Sequence, residues 1–240
     1  LERIAVIDFE TTGITPSSSC RATEIAVVML ERGRIVDRYQ SLMNAGVRVP
    51  AFIEQLTGIS NAMLRSAPSA EKVMNEVNEF VGITPLLAHN AAFDQKFWDF
   101  ELGRIKRTRL QNFACSLLLA RRLMPAAPNH KLGTLNVFAG LPHTGQAHRA
   151  MADAEMAANL TAHLASQLRQ KHGLRSCPMI CCAVCRKCRR RRSTSISSAI
   201  AAFRLTANPV WERACSRMRC ASQLTGNWHT AFASKPAPTG

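Results

Sequence analysis

The chain has 240 residues, room for one sizeable core and a small appendage, and its 31 Lys+Arg against 16 Asp+Glu give a formal charge of +15. The surplus is uneven, because residues 1–173 hold 19 basic against 15 acidic side chains while residues 174–240 hold 12 against 1. The sequence shows no run long enough for a membrane-spanning helix and no basic-then-apolar leader, from which a cytoplasmic protein is expected.

The body holds only Cys20 and Cys115, as expected of a cytoplasmic protein in a reducing compartment, and its mild basicity suits a polyanionic partner. Residue 1 is Leu rather than Met, so the chain is expected to be trimmed or to begin at a non-standard start codon.

The first element organises the rest. Ile4-Ala5-Val6-Ile7 runs straight into Asp8-Phe9-Glu10-Thr11-Thr12-Gly13, which reads as a buried strand ending in acids. Side chains alternate along a strand, so Asp8 and Glu10 face the same side and crowd two carboxylates into one volume. Like charges so placed repel unless a divalent cation lies between them, although a solvated strand end would look the same over this stretch alone.

Residues 16–19 are loop, and residues 24–30 and 35–42 read as strands joined at Arg32-Gly33, which makes a three-strand antiparallel meander. Pro50 opens a short helical segment ending at Gly58, and Pro68-Ser69-Ala70-Glu71 starts a helix with apolar Val73, Val77, Phe80 and Val81. Leu86-Leu87-Ala88 is a further buried strand that runs into His89-Asn90-Ala91-Ala92-Phe93-Asp94. A helix follows with Phe93, Phe97 and Phe100 on one face and Gly103 as its expected stop. Asp94 thereby falls in a first helical turn, where the helix dipole favours a carboxylate.

Residues 110–123 continue as a short strand into a helix, and residues 131–139 form a short helix between Asn129 and Gly140. His148-Arg149-Ala150-Met151-Ala152-Asp153 then opens an alanine-rich helix running to about Gln170. His148 and Asp153 are about 1.4 turns apart, so Asp153 can point toward the strand acids while His148 reaches over the cleft from the helix start.

Asp8-x-Glu10, Asp94 after His-Asn-Ala-x-Phe, and His148-x4-Asp153 together resemble the DEDDh family of 3′–5′ exonucleases, to which the proofreading epsilon subunit of bacterial DNA polymerase III belongs. The likeness spans about residues 3–170 and includes Thr11-Thr12-Gly13, Leu56-Thr57-Gly58-Ile59-Ser60 and Asn129-His130-Lys131-Leu132. It implies a ribonuclease-H-like α/β fold, a central mixed β-sheet flanked by helices. It further implies two divalent ions, Mg²⁺ or Mn²⁺, about 4 Å apart. On that resemblance Asp8 bridges both ions, Glu10 and Asp153 complete one site, Asp94 holds the other largely through water, and His148 is the general base. Thr11, Thr12, Gly13, Ile59, Asn90 and Phe93 become the substrate-contacting positions, with Ile59 and Phe93 against the terminal base.

The implied substrates are DNA 3′ ends, single-stranded or frayed, with a polymerase subunit as a further partner. An RNA exonuclease using the same five residues is the alternative, decided by tolerance of the 2′-hydroxyl. A non-catalytic binding module would have lost an acid, and none is lost.

Residues 1–173 are thus expected to be the exonuclease domain and residues 174–240 a basic, Cys/Arg-rich, disordered tail. In Cys177-x3-Cys181-Cys182-x2-Cys185-x2-Cys188 the spacing of Cys182, Cys185 and Cys188 suits zinc, but no separate second pair at ribbon distance follows and arginines at 189–192 crowd it. A basic nucleic-acid arm is a second reading, weakened by the scarcity of interleaved aromatics. The preferred reading is a slipped frame. With suitable synonymous codons the stretch from Cys177 regroups into Pro-His-Asp-Leu-Leu-Arg-Arg-Leu-Gln-Lys-Val, which restores an acid and helical apolar spacing.

Overall fold

Alternation along the first strand decides the architecture. In the computed structural model, which describes residues 3–142 and 148–172, a five-stranded mixed sheet has the order β3-β2-β1-β4-β5. Its strands are β1 (Ile4–Thr11), β2 (Ala22–Glu31), β3 (Arg34–Leu42), β4 (Leu86–Ala88) and β5 (Phe113–Cys115). β1 is central, antiparallel to β2 and parallel to β4. A strand covered on both faces must be apolar on both, and β1 meets that demand. Ala5, Ile7 and Phe9 enter one core, while Ile4 and Val6 enter the other.

The expected meander is present, and Arg32 and Gly33 close it with φ of 51° and 82°, the two left-handed residues of a tight hairpin turn. The remaining elements are helices: α1 (Ala51–Thr57), α2 (Asn61–Ser66), α3 (Ala70–Val81), α4 (Ala92–Arg104), α5 (Ser116–Leu123), α6 (Leu132–Phe138) and α7 (Ala150–His172). None of them is long and apolar enough to cross a membrane.

Two details depart from the sequence expectations. α2 was not foreseen, although Ser60 caps it by accepting from the Met63 N–H. Gly103 does not stop α4; the helix runs on to Arg104, and the left-handed residue beyond it is Lys106, at φ 56°.

The two cores separate the helices. α3 and α4 cover the Ala5/Ile7/Phe9 face with Val73, Met74, Val77, Phe97, Trp98 and Leu102. α7 covers the other with Ala150, Ala154, Ala157 and Ala158, whose small side chains let the helix lie close to the sheet. Asp8 and Glu10 continue the Ile4/Val6 register, so they face α7. The expectations for the tail (disorder, zinc, a slipped frame) and the domain division at residue 173 lie outside the described residues.

Candidate active site

The carboxylates gather at the carboxyl end of β1, where the sheet stops needing apolar side chains. Carboxylate oxygens of Asp8, Glu10 and Asp153 all lie within 4.8 Å of one another. Two come from the pleat of β1 and one from the first turn of α7, as the strand and helix periods require. Glu10 is 9% exposed, so its charge has little water to relieve it.

Asp94 is nearly fully buried and stands outside this group of three. β4 pairs with β1 only at Ala5 and Val6, which leaves the next edge of β1 without a strand partner on that side. There the Asp94 carboxylate accepts a hydrogen bond from the Phe9 N–H. The β4–α4 connection is therefore tied to β1 at the point where the ladder ends.

Burial dominates the titration of these acids. It pushes the Asp94 carboxyl from 3.8 up to about 8, opposed by backbone hydrogen bonds from its own N–H and that of Phe9. Burial, then the charges of Asp153 and Glu24, push Glu10 from 4.5 up to about 8, while Arg149 pulls it down. Asp8 is raised well above its ordinary value by burial and then by Asp94, Asp153, Glu10 and Glu24. A set of partly buried carboxylates in which neighbouring charges push Asp8 and Glu10 up fits a hard divalent cation, which would favour the ionised forms together. Asp8, Glu10 and Asp153 are the residues that would hold it.

His148 is exposed, sits at φ 61° just ahead of α7, and donates its backbone N–H to Asp153 Oδ2 at 3.2 Å. The next residue, Arg149, reaches back to Glu24 on β2, an ion pair that the sequence reading missed. So did it miss the pair that anchors the β1–β2 loop, Arg21 bidentate to Glu101 at 2.8 and 2.7 Å, with side chains only 3% and 1% exposed.

Two hollows, about 360 Å³ and about 550 Å³, adjoin across Asp8, His148 and Asp153 and form one cleft. The smaller is lined also by Glu10, Thr11, Gly13, Phe93 and the apolar Ile14, Phe52 and Leu56. The larger takes in His89, Lys131 and Thr134. A Cβ on Gly13 would lie 2.9 Å from Cys20 Sγ, so a larger residue there would oblige the Cys20 side chain to shift.

Three of the residues expected to contact substrate, Thr12 among them through its backbone, are placed away from the cleft lining. Ile59 is fully buried with Val49, Ile53 and Leu64, and the apolar surface on that wall comes instead from Phe52 (65% exposed) and Leu56 (48%). Thr12 spends its N–H on the Arg21 carbonyl and its hydroxyl oxygen on the Arg21 N–H. Asn90 is exposed, does not line the cleft, and supplies the left-handed kink (φ 70°) that turns β4 into α4. The missed signal lay in α1, where Phe52 and Leu56 are four residues apart on a face other than that of buried Ile53 and Thr57.

A mixed sheet with acids at the end of its central strand, faced by a helix that brings another acid, defines a ribonuclease-H-like α/β domain. The chain belongs to the exonuclease family, whose RNase T family model matches residues 5–161. It is 32% identical over 170 residues to DNA polymerase III subunit epsilon of Aquifex aeolicus, covering 70% of this chain and 83% of that one. It is 36% identical over 173 residues to the 3′-5′ exonuclease DinG of Bacillus subtilis, covering 70% of this chain but 18% of DinG. Against the PolC-type DNA polymerase III of Bacillus cereus it is 33% identical, covering 71% of this chain and 12% of that one. The chain thus spans less than a fifth of the length of these last two relatives. Among solved structures, exonuclease X in complex with 5′ overhanging duplex DNA matches with a TM-score of 0.58 at 25% identity, covering 71% of this chain and 93% of that one. Escherichia coli exonuclease I in complex with a dT13 oligonucleotide shares the fold, with a TM-score of 0.62 at 15% identity over 72% of this chain and 43% of that one.

Proposed function

We propose that this chain is a 3′–5′ exonuclease that removes nucleotides from single-stranded or frayed DNA 3′ ends with two Mg²⁺ or Mn²⁺ ions, in proofreading or repair. The observation that carries this reading is the group of Asp8, Glu10 and Asp153 at a cleft that His148 also lines, with the Asp94 charge close enough to act on Asp8. Bound divalent cations supply positive charge for the attacked phosphodiester and make hydroxide available near neutral pH.

The chain's own groups do the rest. Asp8, Glu10 and Asp153 hold the cations, and Asp94 sets the second position. His148, exposed over the cleft, takes the proton of the attacking water at its imidazole. The apolar wall of Ile14, Phe52, Leu56 and Phe93 offers a face on which a terminal base can stack, and Lys131 in the larger hollow can meet a backbone phosphate. The likeness to the Aquifex aeolicus epsilon subunit along most of its length supports a polymerase subunit as partner.

The test is digestion of matched 5′-labelled single-stranded DNA and RNA oligomers with Mg²⁺, with Mn²⁺ and with chelator. A ladder shortening from the 3′ end of DNA, absent with chelator, is expected. Cleavage that persists in chelator, or release of the 5′ label as a mononucleotide before any ladder forms, refutes the reading. A ladder on RNA alone reassigns the substrate.

A further inference from the structure

We propose that Glu24 is a positioning residue for His148, holding the backbone that carries the imidazole through a clamp on Arg149 and Ala150. The inference rests on His148 acting as the base, and concerns a residue outside the carboxylate group.

Glu24 is paired across the sheet with Glu10 and is only 1% exposed. Its register neighbours Ala26 and Val28 belong to the core under α7, so its side chain shares the face of Asp8 and Glu10. A further buried carboxylate beside three others demands compensation. Compensation comes from four donors. Oε1 accepts from Arg149 Nη2 at 3.0 Å and Gln40 Nε2 at 2.8 Å, and Oε2 accepts from Arg149 Nε at 3.3 Å and the Ala150 N–H at 3.2 Å. Four donors on two oxygens account for the acceptor capacity of a carboxylate, and Glu24 is absent from the group suited to a cation. Its chemistry is therefore that of an anchor.

What it anchors is the start of α7. His148 has a left-handed backbone that non-glycine residues adopt only when their surroundings hold them there. Two ties do so: its own N–H on Asp153, and the residues directly after it on Glu24. With the second tie cut, the backbone around His148 keeps only its bonds with Asp153, from the His148 N–H and to the Arg149 carbonyl, and a misplacement of about 1 Å at a reacting group is worth up to about 100-fold in rate.

The experiment compares the full-length wild type with E24Q, R149K, H148A and E24Q/H148A. E24Q preserves size and one acceptor but removes the ion pair. The expected result is kcat lowered roughly tenfold in E24Q with KM within about twofold, and a smaller loss in R149K, which keeps the charge without the planar fork. E24Q should cost much less in the H148A background than in the wild type, because the part of its effect that runs through His148 is already lost there, while its relief of Glu10 and Asp8 is common to both backgrounds. Amide exchange at Ala150, measured in chelator, should speed up at least about tenfold in E24Q while the β1 amides keep wild-type rates.

Wild-type kcat in E24Q, a full additive loss in E24Q/H148A, or unchanged exchange at Ala150 would each overturn the proposal. Full turnover in H148A would instead overturn the base assignment, and the exchange rates would still decide whether Glu24 holds the segment.

Discussion

Replacing Asp8 by Asn probes the site where its charges crowd most. In the metal-free protein Glu10 is raised from 4.5 to about 8, and each pKa unit is about 1.4 kcal/mol, so ionising Glu10 costs the fold on the order of 5 kcal/mol. Asp94 is raised from 3.8 to about 8, and Asp8 upward as well, but the three acids repel one another and their costs are shared rather than summed. The direction is unambiguous. A raised folded-state pKa means that the folded chain keeps protons which the unfolded chain has released. Stability without metal is therefore full below the ordinary carboxylate range and falls as pH climbs from about 4 to about 8. A loss of that order is a large part of the 5–15 kcal/mol that usually holds a domain together.

Asp8→Asn removes one buried charge and its repulsion of Glu10, Asp94 and Asp153, and should stabilise the metal-free protein near pH 8 by roughly 1–3 kcal/mol. Urea unfolding in chelator at about pH 5 and about pH 8 measures this, repeated with Mg²⁺. Wild type should be weaker at the higher pH and recover with Mg²⁺, while Asp8→Asn should keep a reduced loss at the higher pH, because burial still raises Glu10 and Asp94, recover less with Mg²⁺, and lose several orders of magnitude in cleavage. A wild type more stable at about pH 8 than at about pH 5 in chelator would refute the electrostatic reasoning. Near-normal cleavage by Asp8→Asn with Mg²⁺ would refute the metal assignment.

His148→Ala should lower turnover by about 10²–10⁴-fold and remove the acidic limb of the pH–rate profile, with Mg²⁺ affinity by calorimetry nearly unchanged. Phe52→Ala on the exposed wall of the smaller hollow should weaken single-stranded DNA binding by about 1–3 kcal/mol, read by titration with a labelled oligomer, and leave the melting temperature in place. Glu101→Ala strands the buried Arg21 guanidinium and should cost about 3–5 kcal/mol in urea unfolding. A chain ending at Gly173 should keep metal-dependent turnover and lose only salt-sensitive affinity for DNA. Elemental analysis of the full chain should find no stoichiometric zinc. One zinc per chain, with activity lost when Cys182, Cys185 and Cys188 become Ser, would make the tail a real domain.

Much of this site is local in origin and was legible in the chain. The period of two along β1 puts Asp8 and Glu10 on one side, and a first helical turn places Asp94 and Asp153, because strand and helix geometry need no distant residue to act. That these acids form one group of three with Asp94 standing apart is tertiary, set by where the β1–β4 ladder ends and how closely an alanine face seats α7. Partners across long separations were invisible for the same reason: Glu24 and Arg149 are 125 residues apart, Arg21 and Glu101 are 80 apart, and charged side chains carry no periodicity that names a mate. Ile59 illustrates the remaining limit. An apolar residue in a loop reads equally as core or as contact surface, and only packing with Val49, Ile53 and Leu64 sent it inward and left Phe52 and Leu56 on the wall of the cleft.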